Sequence, residues 1–102
     1  MRSLVSYVAL VLLACTGVGL AANPDHGSTL AQRWCTACHV VSDDQVKGTD
    51  SAPSFASIAE RPDFDAKQVA DFLLQPHPKM ETMSLSRDDA NDLSAYIAGK
   101  RY

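Results

Sequence analysis

Five consecutive residues, Cys35-Thr36-Ala37-Cys38-His39, constrain this 102-residue chain more than anything else in it. Two thiols three positions apart, followed at once by an imidazole, put three strongly bonding side chains on little more than one turn. Cys-x-x-Cys-His is the signature of covalent haem attachment: each thiol forms a thioether with a different vinyl group of one porphyrin, and the histidine is carried under the iron. The imidazole's other nitrogen then needs an acceptor to fix its tautomer. Two further readings compete. A thioredoxin-type redox pair wants a strand before it and a βαβ surrounding, and neither is visible. A zinc site needs two more ligands, and the only other histidines are His26 and His77.

The start of the chain bears on which chemistry is open to those cysteines. Arg2 precedes an uncharged apolar stretch from Leu4 to Leu13, and small residues follow as far as Ala22. A positive start, an apolar segment and a small-residue site such as Gly19-Leu20-Ala21 form the pattern of a secretory signal peptide. Residues 1–22 are therefore read as a leader cleaved after Ala21 or Ala22, and residues 23–102 as one mature domain. Uncut, Leu4 to Ala22 would be just long enough to anchor the chain in a bilayer. Leu12-Leu13-Ala14-Cys15 also resembles a lipoprotein cleavage box. Cleavage removes Cys15 and leaves only Cys35 and Cys38, a pair that in an exported protein would otherwise suggest a disulfide.

Without Arg2 the chain carries 12 acidic against 8 basic residues, a balance of −4. No cluster of Lys and Arg stands out, which argues against nucleic acid as a partner. The mature part shows no period-2 strand pattern and no internal repeat, so short helices separated by turns are expected. Asn23 before Pro24 is a helix start, and that helix should run to about Cys35 with Leu30 and Trp34 on its inner face. Gly27 weakens it by about 1 kcal/mol relative to Ala, which a close helix crossing would explain. Residues Ser42 to Pro53 read as a loop, and Ser54 to Glu60 as a short helical turn ending before Pro62. Asp65, with Gln68 three residues on, caps a third helix whose buried face is Val69, Phe72 and Leu73. Ser86, with Asp89 as the reciprocal acid, opens a last helix that presents Ala90, Leu93, Tyr96 and Ile97 and ends at Gly99. A core this thin, in a domain of roughly 80 residues, needs a staple, and a buried haem would supply it.

In this order of features, from Gly27 to Ile97, the chain resembles the class I cytochromes c: haem motif near the N-terminus, a Pro-containing loop, a methionine loop and a final helix. The resemblance implies an all-α cytochrome c fold wrapped around one haem c, with Cys35 and Cys38 as thioether residues and His39 as an iron ligand. In that family the first and last helices cross with glycine on one and an aromatic on the other, roles that Gly27 and Tyr96 fit. A proline after the motif, best matched by Pro53, accepts the histidine's hydrogen bond through its carbonyl. The second ligand is a methionine in a loop, here within Pro76-His77-Pro78-Lys79-Met80-Glu81-Thr82-Met83-Ser84-Leu85-Ser86. Register favours Met80, because the family's ligand stands five residues before the leucine that precedes the last cap, which is Leu85 here. Met83 then takes the bulky apolar position three after the ligand, while Glu81 replaces the usual proline. Met83 as ligand, His77 as ligand, and both methionines as core filler are the alternatives.

His/Met ligation raises the reduction potential relative to two histidines and leaves no open iron position for a substrate. The resemblance thus implies a periplasmic one-electron carrier rather than an enzyme. It would exchange electrons with a dehydrogenase or quinol-oxidising complex and with an oxidase or reductase through small transient contacts. A monomer is expected, meeting the membrane only as the surface of partner complexes. Arg33, Lys47 and Lys79 are the basic residues expected near the exposed haem edge. The competing functions are a dedicated haem subunit of a larger periplasmic oxidoreductase and, with a labile methionine, a haem sensor or peroxidase.

Overall fold

The computed structural model describes residues 21–49, 52–75, 80 and 83–101. Residues 1–20, read from the sequence as part of a leader, and the positions of His77, Lys79 and Glu81 lie outside them. The described residues form four helices and no strand: α1 (Pro24–Trp34), α2 (Phe55–Ala59), α3 (Ala66–Leu73) and α4 (Arg87–Ala98).

Each helix starts where a side chain can satisfy free backbone N–H groups. The Asn23 side chain accepts from the N–H groups of Asp25 and His26, and Pro24 occupies the first turn, where its missing N–H costs nothing. Ser54 caps α2 through Ser57 N–H, and Asp65 caps α3 through Lys67 and Gln68 N–H. At α4 the capping box is complete, with Ser86 Oγ accepting from Asp89 N–H and the Asp89 carboxylate accepting from Ser86 N–H, each at 3.0 Å. Asp88 and Asp89 in that first turn also complement the helix dipole.

α4 is the element on which the others pack: α1 and α3 lie against it, and α2 touches it. The α1–α4 contact is backbone on backbone. A Cβ placed on Gly27 would stand 2.1 Å from the Asp92 carbonyl oxygen and 2.8 Å from Tyr96 Cβ, so this crossing admits no side chain. Asp92 then locks the same crossing with its carboxylate, which accepts from Asn23 N–H at 2.7 Å and meets His26 Nδ1 at 2.8 Å. The Asn23 N–H chiefly holds the Asp92 carboxyl below its ordinary value of 3.8; burial opposes it next, and His26 adds further to the lowering. A second polar tie joins α3 to α4, where Asp71 pairs with Arg87 and, at 3.5 Å, with Lys67.

The buried cluster is Ala31, Cys35, Val41, Phe55, Ala59, Leu93 and Ile97, with Leu30, Trp34, Ile58, Phe64, Val69, Leu73, Leu85 and Tyr96 partly buried around it. Three helix faces differ from the pattern of apolar residues. On α1 the fully buried positions are Gly27 and Ala31, with Leu30 and Trp34 flanking, because only small residues fit so close to α4. On α3 it is Ala70 that is buried, while Phe72 keeps 44% of its surface exposed. Ala70 and Leu73 share one side of the helix, and Phe72, two positions from Ala70, falls about 200° round from it. On α4 Ser94 is buried with Ala90, Leu93 and Ile97.

Two outcomes follow from the crossing. Gly27→Ala is expected to destabilise the folded protein by at least about 1–3 kcal/mol, the usual cost of overpacking, and a denaturant midpoint equal to wild type would refute the backbone contact. Asp92→Asn removes a carboxylate whose pKa is depressed on folding. Its contribution is full above the ordinary carboxylate pKa of 3.8 and is lost as pH falls through the lower folded value. The wild type should therefore out-melt Asp92→Asn at pH 6, with the gap closing in acid; a gap that widens below pH 4 would reverse the assignment.

Candidate functional site

α1 ends in the motif itself. Cys35 is its C-cap, with its N–H on the Ala31 carbonyl at 2.9 Å, and the Cys35 carbonyl then accepts from both Cys38 N–H (3.2 Å) and His39 N–H (2.8 Å). This tight turn sets the two thiols one turn apart. Cys35 is buried in the core cluster, Cys38 is exposed, and no disulfide joins them.

His39 is fixed at both ends. Its ring Nδ1 lies 2.6 Å from the Pro53 carbonyl oxygen. A carbonyl only accepts, so Nδ1 donates this bond and Nε2 is the ring nitrogen left for another partner. The ring also packs against Phe55, 5.5 Å between centroids, and Phe55 meets Tyr96 edge-on at 6.3 Å. Pro53 reaches His39 because Phe55 N–H, at the start of α2, bonds the Val40 carbonyl at 2.9 Å, tying the chain just before α2 to the chain just after His39. Tyr96 closes the circuit with its hydroxyl on the Val41 carbonyl at 2.6 Å. The residue that meets Gly27 at the helix crossing thus also holds the strand-like stretch leaving His39.

The far side of the motif is covered by the loop 42–49, and here sequence reasoning missed the principal contacts. The Gln45 side chain bonds the backbone of four residues around the motif, and Thr49 bonds the Cys38 carbonyl through its N–H (2.9 Å) and hydroxyl (3.3 Å). A Cβ on Gly48 would come within 2.6 Å of that carbonyl. No local pattern singles out a glutamine in a polar loop as such a hub. His26, too, reads from sequence as a plain surface residue, and its partner Asp92 lies 66 positions away.

Met80 and Met83 are both half-buried. Arg33 and Lys47 are exposed, Arg33 with its guanidinium 5.0 Å from the Trp34 ring centroid. Among the described residues no group of three or more His, Cys, Asp or Glu side chains could hold a bare metal ion.

A family model for cytochrome c matches residues 24–100. The chain belongs to the cytochrome c family. It is 47% identical over 94 residues to cytochrome c-552 of Bradyrhizobium diazoefficiens, a match covering 92% of this chain and 90% of that protein. No solved structure matches it. As a cytochrome c it carries one covalent haem c and transfers electrons rather than transforming a substrate. The donor set fits that group: two thiols on one turn with no disulfide between them, an imidazole whose Nδ1 is taken up by the Pro53 carbonyl, and apolar side chains, Leu30, Trp34, Phe64 and Leu85 among them, left partly uncovered around the core.

Tyr96→Phe keeps the ring against Phe55 and deletes only the bond to Val41. Its expected cost is about 0.5–1.5 kcal/mol, read from denaturant unfolding. No loss at all would mean that the hydroxyl does not hold the His39 stretch.

Proposed function

We propose that this cytochrome is a periplasmic one-electron carrier in which Cys35 and Cys38 form the two thioethers, and His39 and Met80 are the axial ligands of the haem iron. The observation that carries the reading is the 2.6 Å contact of His39 Nδ1 with the Pro53 carbonyl, which leaves Nε2 as the ring atom able to bind iron, on the residue next to Cys38. Bound there, the haem supplies a one-electron couple. The chain's own residues set its conditions. Pro53, by accepting the Nδ1 proton's hydrogen bond, fixes the tautomer and raises the basicity of Nε2. Phe55 holds the ring plane from one side. A methionine sulfur opposite would close the iron to substrates and leave electron exchange as the remaining chemistry.

Residues 1–22 act in this reading as an export signal, cut after Ala21 or Ala22. Among the described residues no helix is long and apolar enough to cross a membrane. Partners are other redox proteins met transiently, and Arg33, Lys47 and Lys79 supply positive charge on an otherwise acidic chain.

The test is the absorption spectrum of the holoprotein in both oxidation states, with and without carbon monoxide. The wild type should not bind carbon monoxide and should show the long-wavelength charge-transfer band of sulfur on ferric haem. Met80→Ala should lose that band and bind carbon monoxide, whereas Met83→Ala should keep the band. Loss of the band in Met83→Ala alone would move the ligand to Met83, and carbon monoxide binding by the wild type would turn the reading toward a sensor or peroxidase.

A further inference from the structure

We propose that Gln45 is a positioning residue for His39, the amide that fixes the ligand's main chain while Pro53 fixes its ring. The proposal rests on His39 being an iron ligand.

Gln45 Oε1 accepts from Val41 N–H at 2.9 Å, and Nε2 lies 2.7 Å from the His39 carbonyl, 3.1 Å from that of Thr36 and 3.1 Å from that of Lys47. The amide has only one possible orientation, because Val41 N–H can only donate and the three carbonyls can only accept. Its two N–H hydrogens are shared among three acceptors, the shortest contact being to His39. Thr36 lies between the two cysteines and Val41 two residues beyond the histidine, so one side chain spans the motif from its interior to its exit. The loop is shaped to deliver it. Gln45 N–H bonds the Ser42 carbonyl at 3.2 Å, Gln45 is half-buried, and its neighbour Val46 points out, 98% exposed.

The carbonyls of Thr36 and His39 both meet the Gln45 amide, and Val41 lies outside any helix. In a packed site such groups need partners. Gln45 supplies partners to all three at once. With the His39 carbonyl held by Gln45 and Nδ1 held by Pro53, rotation about the Cα–Cβ bond is confined from both ends. Loosening the main-chain end should let the ring drift from the Pro53 carbonyl, weaken that hydrogen bond and make Nε2 a poorer donor to ferric iron.

The experiment compares holoprotein carrying Gln45→Met, nearly isosteric and without the amide, with wild type and with Asp92→Asn, which loosens the α1–α4 crossing and touches nothing at the motif. Two quantities are read besides thermal stability: the proton NMR shifts of the haem methyls in the ferric state, which follow the orientation of the axial imidazole, and the midpoint potential. Gln45→Met is expected to change the order or spread of the methyl shifts and to raise the potential. Asp92→Asn should lower the melting temperature with both readings at wild type. Should Gln45→Met fail to load haem, Gln45→Ala is measured instead, since its gap admits water to the carbonyls. A lowered melting temperature with unmoved methyl shifts and potential would overturn the proposal, as would failure of both variants to form holoprotein, which would make Gln45 a folding residue only. A wild-type ferric spectrum without the shifted ring protons of an iron-bound histidine would instead sink the His39 assignment itself.

Discussion

The backbone contact between α1 and α4 at Gly27 is the constraint from which the other distances in this molecule follow. The two helices are far apart in sequence, and each is too short to be stable alone in water. Removing a side chain at one position lets their axes close until the Asp92 carbonyl and Tyr96 Cβ fill the space a Cβ would need. At that separation Asp92 reaches Asn23 and His26 together, and Tyr96 reaches the Val41 carbonyl. A wider crossing would forfeit all three bonds.

The motif turn hangs from the end of α1 and inherits its position from that crossing. From Cys35 onward, however, little holds it by hydrophobic burial, since Cys38 is exposed and His39 only half-buried. Its order comes from polar contacts made by loop residues: Gln45, Thr49, and the Pro53 carbonyl. These are short-range, directional and mutually consistent, and each satisfies a backbone or ring group that would otherwise be left without a partner inside the fold. Hydrophobic packing sets where the motif is, and hydrogen bonding sets how it is turned.

This division explains what could be read from the sequence. Helix starts were legible because caps are local: Asn23-Pro24, Ser54, Asp65 and the Ser86–Asp89 pair all act within three residues. Gly27 was legible as a crossing because glycine inside a helix needs a reason. The Cys35–Cys38 pair stood out because attachment chemistry fixes its spacing. Helix faces were read less well: Ala70 and Ser94 are buried while Phe72 is largely exposed, because the side of a helix that meets its neighbour is set by the packing angle and not by where the largest apolar side chains stand. Gln45 and His26 were not legible at all. Their roles depend on where a loop folds back and on a partner 66 residues away, and neither leaves a periodic or compositional trace.

Two clamps of different origin therefore meet on the three residues His39 to Val41. One comes from the helices, through Tyr96 to the Val41 carbonyl and through Phe55 to the Val40 carbonyl; the other comes from the loop, through Gln45 to the Val41 N–H and the His39 carbonyl. A group that must change charge by one electron without rearranging its surroundings benefits from such redundancy, because dipoles already fixed in place need not reorganise when the charge changes. The two clamps also differ in what disturbs them. Loosening the crossing acts on Val41 through the Tyr96 hydroxyl, which sits on the same helix as the Gly27 contact. Loosening the loop acts directly on the main chain of His39 through the Gln45 contact to its carbonyl.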